Sequence, residues 1–237
     1  MIQYEPNEYF NVWAGRVLTP ADRIEMNGPF YGLSWNQYTV PLYASDTNGE
    51  AGVFGRDEGF VIWGAAQKFQ YAIGLFDGLN SPANDSDSPL IAMRFAYNFL
   101  NMEKNPGYYT SSTYYGGLGN ILTVGFSAQM QDGGVGSTAD DAEDFTGYAL
   151  DVLSETVFGG GAVLTLEGEY KVFENDYTGA TGFKMFNGDS MFATAAYLFP
   201  EAVGPGQFQP YVRFTETKPE SGDKSDLTEL GLNYVIQ

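Results

Sequence analysis

The stretch "SPLIAMRFAYNFL", Ser88 to Leu100, looks uniformly apolar until it is split by parity. Ile91, Met93, Phe95, Tyr97 and Phe99 then fall on one side, and Leu90, Ala92, Arg94, Ala96 and Asn98 on the other. Successive side chains leave a β-strand on opposite faces, so a period of two predicts a strand with one greasy face and one mixed face that carries an arginine at its centre.

The same split succeeds along most of the chain. In "NILTVGFSAQM" Leu122, Val124, Phe126, Ala128 and Met130 oppose Ile121, Thr123, Gly125, Ser127 and Gln129. In "AVLTLEGEYKV" Leu164, Leu166, Gly168, Tyr170 and Val172 oppose Val163, Thr165, Glu167, Glu169 and Lys171, which puts three charges in one row. "FQYAIGLF", "MFATAAYLF" and "LTELGLNYVI" repeat the pattern, the last with Glu229 on its polar side. "FQPYVRF" sets Phe208, Val212 and Phe214 against Tyr211 and Arg213, and Pro210 predicts a bulge or a strand end there. "YFNVWAGRV" is ambiguous in phase, because Arg16 shares parity with Phe10, Val12 and Ala14. Weaker candidates at Leu33 to Leu42, Ala51 to Phe54, Phe60 to Ala65 and Gly147 to Leu153 bring the total to roughly ten to twelve strands, with no long helix.

The joints alternate in length. Short turns near Ala66 to Lys68, Gly159 to Gly161 and Pro200 to Gly206 alternate with long polar loops at Asp77 to Ser88, Gln131 to Thr146, Glu174 to Ser190 and Glu216 to Asp226. Antiparallel strands joined up and down give this alternation when one rim of a barrel carries tight turns and the other carries loops. Those four loops hold half of the chain's 30 Asp and Glu residues, so negative charge gathers at one rim. Asn101 to Asn120 breaks the rule by being long where a short turn is due.

Composition narrows the chemistry. With 237 residues, 30 glycines and 16% aromatics, the chain suits many strands between glycine-bearing turns. It has neither cysteine nor histidine, which removes disulfides, thiolate chemistry, Cys/His zinc sites, Ser-His catalysis and conventional haem ligation, and an enzyme is not expected. A net charge of −19 excludes electrostatic attraction to nucleic acid. No run approaches the ~18 to 20 apolar residues of a membrane helix, whereas barrel strands need only about 9 to 11.

Two readings compete for the faces. In a soluble sandwich the apolar face turns inward; in a transmembrane barrel it turns out to lipid and the polar face surrounds water. The non-apolar face is rich in Gly, Ala, Ser and Thr, carries charges at mid-strand, and lies opposite an apolar face bracketed by Tyr, Phe and Trp. These features favour the barrel. The expected fold is all-β, a transmembrane antiparallel up-and-down β-barrel, with residues 1–237 as one domain. Arg94, Asp151, Glu167, Glu169, Lys171, Arg213, Glu229 and, with less clear phase, Arg16 are the expected pore-lining charges.

The stretches "FNVWAGRVLTP", "YAIGLFDGLN", "NPGYYTSSTYYGGLGNILTVGF", "DFTGYALDVLSE" and "GQFQPYVRFTE", in that order, resemble the bacterial outer-membrane porins of the phosphate-selective O/P type over nearly the whole chain. The resemblance implies a sixteen-stranded barrel in the bacterial outer membrane, usually trimeric. Such a barrel contacts outer-membrane lipid and lipopolysaccharide and passes small hydrophilic solutes or ions by diffusion, without a cofactor. Two features depart from it. The strands are too few for sixteen and the chain stops at "ELGLNYVIQ", so some N- and C-terminal strands are expected to be missing. The expected lumen is mixed in charge rather than basic, so phosphate selectivity is not carried over.

Other signals are weaker. "NDSDS" (Asn84 to Ser88) and "DDAED" (Asp140 to Asp144) offer oxygen ligands to a divalent cation but lack a defined ligand spacing, and read as solvated loop acids. Glu167 and Glu169 could be glycosidase-like carboxylates, although pore-lining charge continued by Lys171 suits them better. "GGVG" and "GGGA" are turns. "PGYYTSSTYYGG" is aromatic enough to stack sugars, and equally suits an interfacial girdle or a packed periplasmic segment. The alternative functional readings are a structural barrel or sheath around a partner such as an electron-transfer cytochrome, and a soluble secreted β-protein.

Overall fold

The computed structural model describes residues 1–34, 55–78, 88–135, 140, 142–176, 187–220 and 223–236. They form one antiparallel sheet of 11 strands in strict sequence order. The strands are β1 (Ile2–Tyr4), β2 (Asn11–Leu18), β3 (Arg56–Ala66), β4 (Phe69–Phe76), β5 (Leu90–Asn98), β6 (Ile121–Val135), β7 (Glu143–Val157), β8 (Val163–Glu174), β9 (Gly188–Leu198), β10 (Gly206–Pro219) and β11 (Ser225–Ile236). The fold is therefore all-β and up-and-down, as the alternation predicts. The sheet is not closed: β1 and β11 are its two edges.

Burial follows the parity of the sequence. Along β5, Leu90, Ala92, Arg94, Ala96 and Asn98 are buried, and Ile91 and Tyr97 are exposed. β7 and β8 repeat this, with Ala149, Asp151, Leu153, Glu167, Glu169 and Lys171 buried and Leu150, Val152, Leu166 and Tyr170 exposed. The sheet thus buries its mixed face, which holds nearly all of its mid-strand charges, and exposes its greasy face. A flat sheet of this many strands would be about 50 Å wide at roughly 4.8 Å per strand. Among the described residues that face is covered by one short helix and one connecting segment, whose contacts reach from β2 to β7 and, through Leu33 just past the helix, on to β11, so the sheet curls around them.

The helix, α1 (Arg23–Tyr31), follows β2. Asp22 caps it by accepting a 3.0 Å hydrogen bond from the Glu25 backbone N–H. Aspartate followed three residues later by glutamate has the spacing of a capping box, a helix start signal that strand alternation does not carry. The connecting segment is the anomalous joint between β5 and β6. It folds back onto the inner face, where the Tyr108 hydroxyl donates to the Leu18 carbonyl and Thr110 Oγ1 donates to the Arg23 carbonyl at 2.6 Å. "PGYYTSSTYYGG" is therefore a packed segment on the inner face. Tyr108 and Tyr109 pack with Trp13 and Trp63, ring centroids 5.2 to 6.4 Å apart.

The inner face also holds an apolar patch. Val17, Leu18, Phe76, Leu90, Val135, Phe145 and Phe173 form one buried cluster at the strand ends that lead into the long loops. Short-turn ends carry outward aromatic pairs instead: Phe69 with Phe95, Tyr97 with Phe99, Tyr197 with Phe199 and Phe208 with Tyr234.

One expectation is overturned. Pro210 neither ends nor bulges β10: its register with β11 runs through Pro210 and Leu232 without a break, while the β9 ladder ends at Tyr211. Proline has no N–H to give, and its place just past the end of the β9 ladder avoids the loss. Phe60 to Ala65 and Gly147 to Leu153 lie inside the longer strands β3 and β7. The candidates Leu33 to Leu42 and Ala51 to Phe54 fall almost wholly outside the described residues, and Leu33 and Ser34, which are described, form no strand. No helix among the described residues is long and apolar enough to cross a membrane.

Candidate functional site on the inner face

Among the described residues, four cations and seven carboxylates meet where α1 and the 99–120 segment press on β5 to β10. Arg23, at the first turn of α1, is the hub. Its Nη1 and Nη2 donate to both oxygens of Glu103 at 2.9 and 2.8 Å, its Nε donates to Asp151 Oδ1 at 3.0 Å, and Nη1 also reaches the Ser111 carbonyl. Arg94 of β5 grips the same carboxylate with two bonds of 2.5 and 2.9 Å. Asp151, 1% exposed, is thus clamped between a wall arginine and a helix arginine. The planar guanidinium fork suits such paired contacts, and a buried carboxylate needs them because unpaired burial of a charge is costly.

Two further contacts tie the inserted elements to the wall. Lys171 of β8 donates to Asp22. Glu167 accepts from Ser112 Oγ at 2.5 Å and sits 3.4 Å from Arg213 Nη2, while Arg213 Nε donates to Thr194 and its guanidinium lies over the Phe192 ring. Glu155 of β7 collects Thr113 Oγ1 and Thr165 Oγ1 and the backbone N–H groups of Tyr114 and Gly116. At the far side, Asn233 of β11 donates to the Leu33 carbonyl at 2.8 Å.

Burial alone pushes the Glu103 carboxyl up, but the Arg23 charge and hydrogen bonds outweigh it and hold Glu103 below the usual carboxylate range. Burial disfavours the Arg23 charge, but Glu103 and Asp151 outweigh it and Arg23 stays firmly protonated. Burial and the neighbouring Glu103 charge push the Tyr114 hydroxyl well up, so it is a neutral donor to Glu103.

Of the residues singled out from the sequence, Arg94, Asp151, Glu167, Glu169, Lys171 and Arg213 are brought together here. Glu229 is half-buried on the same face, in register with Arg213. Arg16 is placed differently from its inward reading. It is exposed on the face of Val12 and Ala14, in register with Glu58, because Asn11, Trp13 and Val17 take the inner positions of β2.

Asp22, Arg23, Glu25 and Glu103 lie in non-periodic segments and are not legible by parity; the overlong joint is the trace of Glu103, and the capping-box spacing of Asp22 and Glu25 is the trace of the helix start. Glu155 shares parity with Asp151, a signal sufficient to find it. Among the described residues no three acids are arranged to hold a metal ion. Most of "NDSDS" and Asp141 of "DDAED" fall outside the described residues. A small cavity of about 60 Å³ remains beside the cluster, lined by Arg23, Trp63, Arg94, Glu103, Tyr108 and Tyr109 among others.

Gly125 of β6 faces the Arg94–Asp151 pair, and a Cβ there would collide with both the guanidinium and the carboxylate. Gly125→Ala is expected to cost about 1 to 3 kcal/mol by forced displacement. Gly168→Ala, whose Cβ meets its nearest atoms at 3.5 and 3.6 Å, serves as the near-neutral control. Denaturant titration in detergent micelles checks both, and equal costs would contradict the packing described.

Comparison with protein-family models, curated proteins and solved structures finds no match to this chain.

Proposed function

We propose that this chain forms the wall of a bacterial outer-membrane porin, a passive channel for small hydrophilic solutes or ions with a mixed-charge interior. The observation that carries the reading is the inversion of the faces. Leu150 is 55% exposed while its neighbour Asp151 is 1% exposed, and the same inversion runs through β4 to β10. A water-soluble sheet gains from burying its apolar face and pays for burying charge; a sheet in lipid has the opposite preference. The outward aromatic pairs at the short-turn ends suit an interfacial girdle.

Transport through such a wall needs no catalytic group: the charges on the inner face bias which ions linger. Carboxylates outnumber cations in the cluster, which favours a weak cation preference and argues against phosphate selectivity. In lipid the open edges of β1 and β11 would each leave unsatisfied backbone groups, so the reading requires strand partners at both, and a trimer of closed barrels is the assembly the porin resemblance implies.

Planar-bilayer recording tests the reading. Stepwise conductance with a reversal potential shifted modestly toward cations is expected. Stable insertion without conductance would overturn the channel and leave the second reading, a structural barrel or sheath. That second reading is favoured by one observation, the filling of the inner face by α1, residues 99–120 and the apolar patch.

A further inference from the structure

Lys171 sits at the junction of α1 and β8, 1% exposed, with three carboxylates around it. Asp22 accepts its hydrogen bond, Glu169 Oε1 lies 3.4 Å from its Nζ, and Glu25 acts on it electrostatically from the first turn of α1. Other charged groups nearby are committed elsewhere. Asp151 of β7 is clamped by Arg23 and Arg94, and Glu167 of β8 is held by Ser112 and Arg213. On β9, the residues in register with Lys171 and Glu169 are Ser190 and Phe192, neither of them charged.

Glu169 is 6% exposed, yet neither of its carboxyl oxygens accepts a hydrogen bond. One ammonium cannot neutralise three buried carboxylates, and a buried acceptor without a donor is costly. Adding positive charge to the group relieves both costs. No three acids among the described residues have metal-binding geometry, whereas a proton needs none. A protonated carboxyl turns an acceptor into a donor and lets one acid of the group bond another.

We propose that Asp22, Glu25 and Glu169, gathered around Lys171, form a proton-binding site that latches the start of α1 onto the inner wall, so that loss of the proton loosens α1 there and widens the interior. The effect on conductance rests on the channel reading, whereas the latch itself rests on the cluster. Burial, and then the Asp22 charge, push the Glu25 carboxyl from its ordinary 4.5 up to about 8, with Lys171 pulling the other way. A carboxyl raised in the folded state contributes stability that is full below its ordinary value and is lost as pH rises through the raised one. The latch is therefore tightest below about 4.5, weakens progressively as pH rises, and is fully weakened above about 8.

The test uses the full chain carrying Asn27→Cys, whose thiol is unique because the protein has no cysteine. Asn27 lies on α1 and is 1% exposed. Labelling by a water-soluble maleimide in detergent, at pH 6.5 and pH 9, is compared between this background and the same chain with Glu25→Gln, which mimics the protonated state. Beyond the intrinsic thiol effect shared by both, labelling is expected to accelerate about tenfold at pH 9 when Glu25 is present and not in the Glu25→Gln chain, because local opening limits access to buried sites. Bilayer conductance should rise over the same interval only with Glu25. Equal acceleration in both backgrounds overturns the proposal, as does a response to added Ca²⁺ in place of pH. Absence of conductance at any pH, with the labelling difference intact, overturns the channel reading and leaves the latch standing.

Discussion

Arg23→Ala is expected to be among the most damaging single substitutions in the chain, costing about 3 to 5 kcal/mol, because removing one partner of a buried ion pair leaves uncompensated charge behind. Glu103 would lose both its guanidinium bonds, Asp151 one of three, and Ser111 its donor. Arg23→Lys should recover only part of the loss, since an ammonium cannot reproduce the fork that spans two carboxylates. Denaturant unfolding in micelles measures the cost. If the channel reading holds, the alanine variant should also conduct more, because α1 and residues 99–120 would no longer be pinned to β7. A cost below about 1 kcal/mol would show that the cluster is solvated and that its geometry matters little.

Leu150→Arg is the second large effect, and its size depends on what the outer face touches. Leu150 stands at the middle of β7, pointing away from the charge cluster. In lipid, arginine at the midplane costs about 2 to 4 kcal/mol, falling toward zero near the interfaces. In water, an exposed leucine replaced by arginine stays within about 0.5 kcal/mol. The same substitution at Phe158, exposed beside the glycine turn, should cost little in either case. Comparing folding yields into vesicles for the two variants separates the alternatives.

The strands are legible because a half-buried strand must alternate, and alternation survives whichever face turns inward. Arg94 shows this: its parity places it with Ala92 and Ala96, and all three are buried. Arg16 shows the limit. Gly15, at a φ of +104°, sits beside it in β2, where a short segment with a charge on its apolar parity gives no firm phase.

The interior is largely illegible for a different reason. Inserted segments obey no period, and their charges acquire meaning only through partners far along the chain, as Arg23 does through Asp151. The α1 sequence "RIEMNGPFY" also contains glycine and proline, which argue against a helix, and only the Asp22 and Glu25 spacing speaks for one. The cost to the functional reading is specific. Parity places these charges on one face but does not show that several of them are paired with residues of the inserted elements, as Asp151 is with Arg23 and Lys171 with Asp22.

The central claim is that the greasy face meets lipid and the charged face does not. Because the chain has no cysteine, a single spin-labelled cysteine can be walked from Ala149 to Leu153 and from Leu164 to Lys171 in vesicle-inserted protein. Collision with dissolved oxygen, which concentrates in the bilayer, should peak at Leu150, Val152, Leu166 and Gly168 and fall at Ala149, Asp151, Glu167 and Glu169, with a period of two. Strong collision of an aqueous nickel reagent with the labels at Leu150 and Leu166 would contradict the account.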